Sequence, residues 1–370
     1  MALGALPDYP WDAMVPFRER AAAHSDGIVD LSIGSPVDPT PAFIQSALAE
    51  ASDAHGYPLT VGSTELQSAI VSWLERRRGV TGLTRANVLP TIGSKELVAW
   101  LPFMLGLGEG DTVVHPRAAY PTYEIGAMFA GASSYASDDP ADWPSSTKLI
   151  WLNSPGNPDG RVLSVDELRV AVARARELGA VIVNDECYAE LPWTVAEVPS
   201  ILDPRVTDGD LQNVLMIYSL SKQSNMAGYR GAFVAGCAER IARLVVVRKH
   251  AGMMLPAPLQ HAMTVAIGDD AHVASQREMY RARRELLKPA LEALGYRIDY
   301  SDAGLYLWAT AGVDAWDSIA ALAELGILAG PGHFYGVHFP QHVRLSLTAT
   351  DERIAAAAER LRGAATQSRL

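Results

Sequence analysis

Lys222 and Arg230 stand eight residues apart in the stretch YSLSKQSNMAGYRGAF, residues 218–233. The apolar run NVLMI leads into it, so Lys222 falls at the end of an expected buried strand, flanked by Ser219 and Ser221. A lysine in a partly dry pocket near a second cation has a lowered pKa, becomes a nucleophile, and can form a Schiff base with a carbonyl compound. Taken alone, a lysine at a strand end more often snorkels to the surface.

Other polar residues end other expected strands. In TIGSKELVAW (91–100), Gly93, Ser94 and Lys95 make a turn into a helix, and backbone N–H groups at such a terminus suit an anion such as phosphate. Asp185 closes the apolar run of VIVNDECYAE (181–190), where a buried carboxylate is costly without a cationic partner; the plainer reading is a cap on the next turn. Tyr188, three residues on, can face the same cavity. In SPGNPDG (154–160) Asn157 precedes a proline and is held extended, which aims its amide; otherwise the segment is a surface loop. Tyr120 follows the run DTVVHP (111–116).

These groups need a sheet that brings strand ends together. The apolar runs lie at 87–92, 111–116, 133–137, 148–154, 180–185, 213–219 and 231–236, with helical patterns between them. Ser164 and Glu167 form a capping box at the start of VDELRVAVARAREL, and Gly179 is placed to end that helix. The alternation predicts an α/β fold in three layers around a mostly parallel seven-stranded sheet. A short strand is expected within 27–34 and one long helical segment over 257–293, followed by a smaller α+β region. The expected large domain spans 45–252; residues 1–44 and 253–370 are expected to form a smaller, discontinuous domain with an N-terminal arm.

In an open α/β sheet, ligands bind beyond the carboxyl ends of the strands. There an amine, a carboxylate, an amide and an anion cradle meet. Together they match pyridoxal 5′-phosphate (PLP): its aldehyde needs a lysine, its ring nitrogen an acid and its phosphate an anion site.

Composition narrows the classes. The 370 residues carry a net charge of −11, which argues against a nucleic-acid or anionic-membrane binder. The two cysteines, Cys187 and Cys237, lack metal-ligand or disulfide-framework spacing, so no metal is expected, and Cys187 reads as a small buried apolar residue. The opening MALGALPDYPWDAM lacks the pattern of a signal peptide, and no run reaches the length of a membrane span; a soluble, cytoplasmic chain is expected.

The order GSKE, YP, NPDG, NDECY, SLSK, an Arg eight residues past the Lys, then VRLSL resembles the fold-type I PLP-dependent aminotransferases of the aspartate aminotransferase superfamily, from about residue 30 to 350. The resemblance implies that Lys222 bonds the cofactor and moves the substrate proton, that Asp185 pairs with the ring nitrogen, and that Asn157 and Tyr188 bond its phenolic oxygen. It implies stacking by Tyr120 and a phosphate site from Gly93, Ser94, Lys95, Ser219, Ser221 and Arg230. It implies that Tyr57 reaches the phosphate of a partner in a homodimer with shared sites, and that Arg344 and Gly34, with Asn157, bind the substrate α-carboxylate. NPDG in place of the commoner NPTG, and the missing aromatic after Lys222, are departures that touch none of these roles.

Within that superfamily the segments HPRAAYPTYEIGAMFAGA and HAGMMLPAPLQHA are similar to actinobacterial N-succinyldiaminopimelate aminotransferases. This implies glutamate and 2-oxoglutarate as the second substrate pair, and lysine and diaminopimelate biosynthesis as the setting. Arg117, His115, Lys249 and Met253 are the loose candidates for reading the distal end. The alternatives are another transamination (of aspartate, an aromatic amino acid or LL-diaminopimelate), a carbon–sulfur lyase, or a PLP-sensing regulator, against which the acidic charge and the roughly 30 residues ahead of the resemblance both argue.

Overall fold

A computed structural model describes residues 10–367. The first nine residues of the expected N-terminal arm, which hold most of the segment weighed as a signal peptide, and the last three of the chain lie outside the described residues.

The seven apolar runs form one sheet. Its strands are β1 (Val88–Ile92), β2 (Thr112–His115), β3 (Ser133–Ala136), β4 (Thr147–Asn153), β5 (Val181–Asp185), β6 (Val214–Ser219) and β7 (Gly231–Gly236), in the order β1-β7-β6-β5-β4-β2-β3. Only β7 runs against its neighbours. Side chains alternate between two cores: Val214, Met216 and Tyr218 of β6 enter one, Leu215 and Ile217 the other. The first core also holds Trp73, Val172 and Met263, and the second Leu97, Tyr123 and Leu244, all from helices. Helices therefore cover both faces, which explains why the strands read as continuous apolar runs.

The helix Val165–Leu178 begins and ends where its sequence predicts. Ser164 Oγ accepts from Glu167 N at 3.2 Å, Glu167 accepts in return from Ser164 N at 2.8 Å, and Gly179 takes φ 63°.

A second, four-stranded sheet runs β10-β11-β9-β8, from β8 (Arg297–Asp299), β9 (Tyr306–Thr310), β10 (Gly330–Pro331) and β11 (His342–Ser346). A third core packs on it, combining Met14, Val29 and Leu31 with Leu287, Leu307, Ile319 and Leu361. Two expectations are corrected. The helical segment over 257–293 is two helices, Ala257–Gly268 and Ala271–Ala293, because Asp269 turns back to accept from His272 N at 2.8 Å. The strand within 27–34 is only Val29–Asp30, paired with Ile327–Leu328. The Asp30 carboxylate accepts from Ser32 N at 3.0 Å and bends the chain out of the pairing, toward the large sheet's edge.

Among the described residues no helix is long and apolar enough to cross a membrane. Buried ions away from the large sheet's edge are paired. Glu186 is 0% exposed, bonds Arg78 at 2.9 Å, and accepts from Ser200 Oγ and Ile201 N at 3.0 and 2.8 Å. Removing one partner of such a pair strands a buried charge. Glu186→Ala is therefore expected to lower unfolding free energy by about 3–5 kcal/mol in a denaturant titration; a loss below ~1 kcal/mol would show that the pair is inert.

Candidate active site

Register brings the strand ends level: Asn153 of β4 lies opposite Asp185 of β5. Lys222 sits in the single helical turn Leu220–Gln223 that follows β6, started by Ser219, whose Oγ accepts from Ser221 N at 3.2 Å. Lys222 Nζ donates to the Gly34 carbonyl. Burial holds the Lys222 amine below its ordinary pKa; the Tyr306 oxygen opposes this and the cations Arg344 and Arg230 add to it.

Asp185 is 7% exposed and meets only neutral donors: Tyr123 Oη at 3.0 Å and Cys187 N at 3.1 Å. Burial raises its carboxyl pKa, with the bonds from Cys187 and Tyr123 opposing. No lysine or arginine pairs with it among the described residues, so its charge awaits a partner. Burial likewise pushes the Cys187 thiol well above its usual value, as a small buried residue should be.

Arg344, on β11, is 5% exposed and has no carboxylate partner among the described residues. Nη1 donates to Asn157 Oδ1 at 2.9 Å and Nη2 to the Ser32 carbonyl at 2.8 Å, while Nε has no partner among the described residues. Two aromatic rings flank the guanidinium, Tyr306 at 4.0 Å and Tyr335 at 4.7 Å. Cation–π attraction and carbonyl acceptors thus replace an acid. Asn157 is itself anchored, its N–H donating to Asn153 Oδ1 at 2.8 Å. Tyr188 Oη lies 3.3 Å from Tyr306 Oη, and burial keeps the Tyr188 hydroxyl protonated far above its ordinary pKa.

The anion cradle forms where β1 meets β7. Gly93, at φ 77°, opens the helix Ser94–Met104, whose first-turn N–H groups have no partner inside the helix. A Cβ on Gly93 would strike the Arg230 guanidinium, so the glycine makes room for it. Arg230, at φ 58°, donates to the Ala227 carbonyl at 2.8 Å and pairs with no acid among the described residues. Ser219 and Ser221 meet at 2.8 Å, and Ser219 Oγ donates to the carbonyl of Gly231, next to Arg230, at 3.3 Å. Lys95 is exposed, with Nζ 5.9 Å from the Tyr120 ring centroid. Tyr120 meets Tyr123 edge-on at 5.9 Å, and burial pushes its hydroxyl up to about 12.

Contacts thus tie Lys222 to Gly34, Asn157 to Arg344 and Gly93 to Arg230, and Asp185 ends the strand beside β6. Tyr57 is 96% exposed and lies outside this cluster. The four distal-end candidates are not gathered into one pocket. His115 turns its ring to the Pro116 carbonyl at 2.8 Å, Met253 packs on the second core, and Arg117 and Lys249 are exposed. Sequence reasoning missed Tyr123, Tyr306, Tyr335 and Ser32. Only Tyr123 left a local signal, one helical step after Tyr120.

A neutral-leaning amine, an unpaired carboxylate and a helix terminus beside an unpaired arginine fit the aldehyde, ring nitrogen and phosphate of PLP. Arg344, buried with no acid among the described residues, is a second cation of the site without a counter-ion.

Comparison with known proteins agrees with this chemistry. The family model "Aminotransferase class I and II" matches residues 26–361. The chain is 53% identical to the 4-dedimethylamino-4-oxo-anhydrotetracycline transaminase OxyQ of Streptomyces rimosus, over 96% of this chain and 99% of that one. It is 55% identical to the probable aminotransferase Rv1178 of Mycobacterium tuberculosis, over 96% and 85%. Among solved structures it resembles a probable N-succinyldiaminopimelate aminotransferase from Thermus thermophilus, with TM-score 0.85 and 30% identity, covering 95% of this chain and 98% of that one.

The cradle makes a direct prediction. Gly93→Ala places a Cβ on the Arg230 guanidinium at φ 77° and ψ 158°, a backbone region essentially confined to glycine that costs other residues ~1–3 kcal/mol. Titration with PLP, followed by absorbance, is expected to show a dissociation constant raised by about tenfold or more. Unchanged affinity would remove this corner from the phosphate site.

Proposed function

The chain belongs to the class I and II aminotransferase family, whose members depend on PLP, and from that premise we propose that it transfers the amino group of N-succinyl-LL-2,6-diaminopimelate to 2-oxoglutarate. The observation that carries an amino-acid substrate is Arg344, a buried guanidinium with an unpartnered Nε and no internal acid. Such a site suits the bidentate binding of an α-carboxylate. The choice of the succinylated donor draws on the Thermus thermophilus neighbour and on the sequence resemblance.

Bound PLP supplies the aldehyde and an electron-withdrawing ring that spreads the charge released at the substrate Cα. The protein's own groups do the rest. Arg344 and Asn157 fix the carboxylate and so turn the Cα–H toward Lys222. Lys222 Nζ, held toward its neutral form by burial, takes the proton from Cα and returns it on the other side of the transfer. The Asp185 carboxylate holds a proton on the ring nitrogen, and Tyr123 and the Cys187 N–H keep that carboxylate in place. Tyr188 and Asn157 donate to the phenolic oxygen, while Gly93, Ser94, Ser219, Ser221 and Arg230 hold the phosphate. Lys95 contributes its backbone N–H, since its side chain points to solvent beside Tyr120.

Tyr57 is too exposed to act within its own subunit and completes the phosphate site of a partner in a homodimer. Under this reading Tyr57→Phe weakens PLP binding, and dilution to monomer does the same; a monomer with full PLP affinity in analytical ultracentrifugation and titration would contradict it.

A second reading takes a ring ketone as acceptor, by analogy with the substrate in the name of OxyQ, and the 53% identity favours it. Steady-state rates separate the two. With glutamate and 2-oxoglutarate as the second pair, kcat/KM for N-succinyl-LL-diaminopimelate is expected to exceed that for the free compound by about tenfold or more. Equal rates, a preference for the ring ketone, or pyruvate release without a keto acid would reject the proposal. Arg344→Ala should lower kcat/KM for glutamate by about 100-fold, the scale of losing one partner of a desolvated charge pair; a loss under threefold would place the carboxylate elsewhere.

A further inference from the structure

Antiparallel pairing of β9 with β11 sets Trp308 opposite Arg344 and Tyr306 on the adjoining diagonal of the same face. Tyr306 is 4% exposed. Its ring covers the Arg344 guanidinium at 4.0 Å, and its hydroxyl lies 3.3 Å from that of Tyr188. A Cβ on Gly34 would fall on the same hydroxyl, and the Gly34 carbonyl is the acceptor of Lys222. One phenol therefore touches the groups assigned to the substrate carboxylate and to the cofactor's phenolic oxygen.

We infer that Tyr306 is a positioning residue that aims two groups at once: its ring sets the plane of Arg344, and its hydroxyl, donating to the Tyr188 oxygen, turns the Tyr188 proton toward the cofactor. This rests on the aminotransferase reading above. Tyr188 has a single proton, which the proposed function assigns to the phenolic oxygen, so the 3.3 Å contact is left for Tyr306 to donate. Burial raises the Tyr306 hydroxyl, but Arg344 and Lys222 more than offset it and leave the group below its ordinary value. The Tyr188 hydroxyl is pushed well above. A Tyr188 oxygen that accepts becomes in turn a stronger donor, because hydrogen bonds in series polarise one another.

Two substitutions in the PLP-loaded protein divide the roles. Tyr306→Phe keeps the ring and loses the hydroxyl. The pH midpoint at which the visible absorbance of bound PLP titrates is expected to rise by about half a unit to one unit, because a weaker Tyr188 donor stabilises the phenolate less. KM for glutamate should stay within about twofold, since the ring over Arg344 remains. Tyr306→Leu removes both contacts, and KM should also rise by about fivefold or more. A midpoint unchanged in Tyr306→Phe would overturn the inference. So would a KM unchanged in Tyr306→Leu, or one that rises equally in both variants. Failure of the underlying reading is distinct: the parent protein would then show no visible PLP band that responds to glutamate.

Discussion

The fold is organised around charge that is buried and left without an opposite charge inside the protein. Enclosing an ion without a partner costs several kcal/mol. Elsewhere the molecule avoids that cost: Arg78 meets Glu186, Arg283 meets Asp38 at 2.6 Å, and Arg248 meets Glu96 at 2.8 Å. At the carboxyl edge of the large sheet Lys222, Asp185 and Arg344 are held instead by carbonyls, a hydroxyl, backbone N–H groups and aromatic faces. Asp185 and Glu186 are adjacent and both buried, yet only Glu186 has a guanidinium. That difference separates a residue paired within the fold from one left without a counter-ion among the described residues.

Keeping these charges apart takes three distant pieces of chain. The parallel strands supply the level ends that carry Asn153, Asp185 and Lys222. The second sheet supplies Arg344 with Tyr306 beneath it. The bend after Val29–Asp30 brings the carbonyls of Ser32 and Gly34, which accept from Arg344 and Lys222. The neutral acceptors of the bend restrain the guanidinium and the amine without supplying a counter-charge.

Much of this is legible in the sequence, for identifiable reasons. Strands buried on both faces leave apolar runs, and the polar residues that follow β1, β4, β5 and β6 mark one edge of the sheet; the antiparallel β7 meets that edge at its start, next to Arg230. The capping box at Ser164 and Glu167 is likewise local chemistry. What escapes is set by contacts between distant segments. Tyr306 and Tyr335 read as ordinary aromatics until strand pairing, for the one, and the short turn Gly332–Tyr335, for the other, bring their rings to Arg344. The break at Asp269 looks helical by composition and is decided by its carboxylate, which meets both the backbone N–H and the ring Nδ1 of His272. The strand expected within 27–34 is cut short by Asp30. Specificity at the substrate's distal end is harder still, since His115 and Met253 are occupied by their own surroundings.

Whether Lys222 is the residue that these arrangements prepare can be measured directly. Borohydride reduction of the PLP-loaded protein fixes the cofactor to the amine that holds it, and peptide mapping by mass spectrometry locates the added mass. The account predicts the label on the peptide containing Lys222 and its loss in Lys222→Ala. A label on Lys95 or another lysine, or a loaded protein that takes up none, would contradict it.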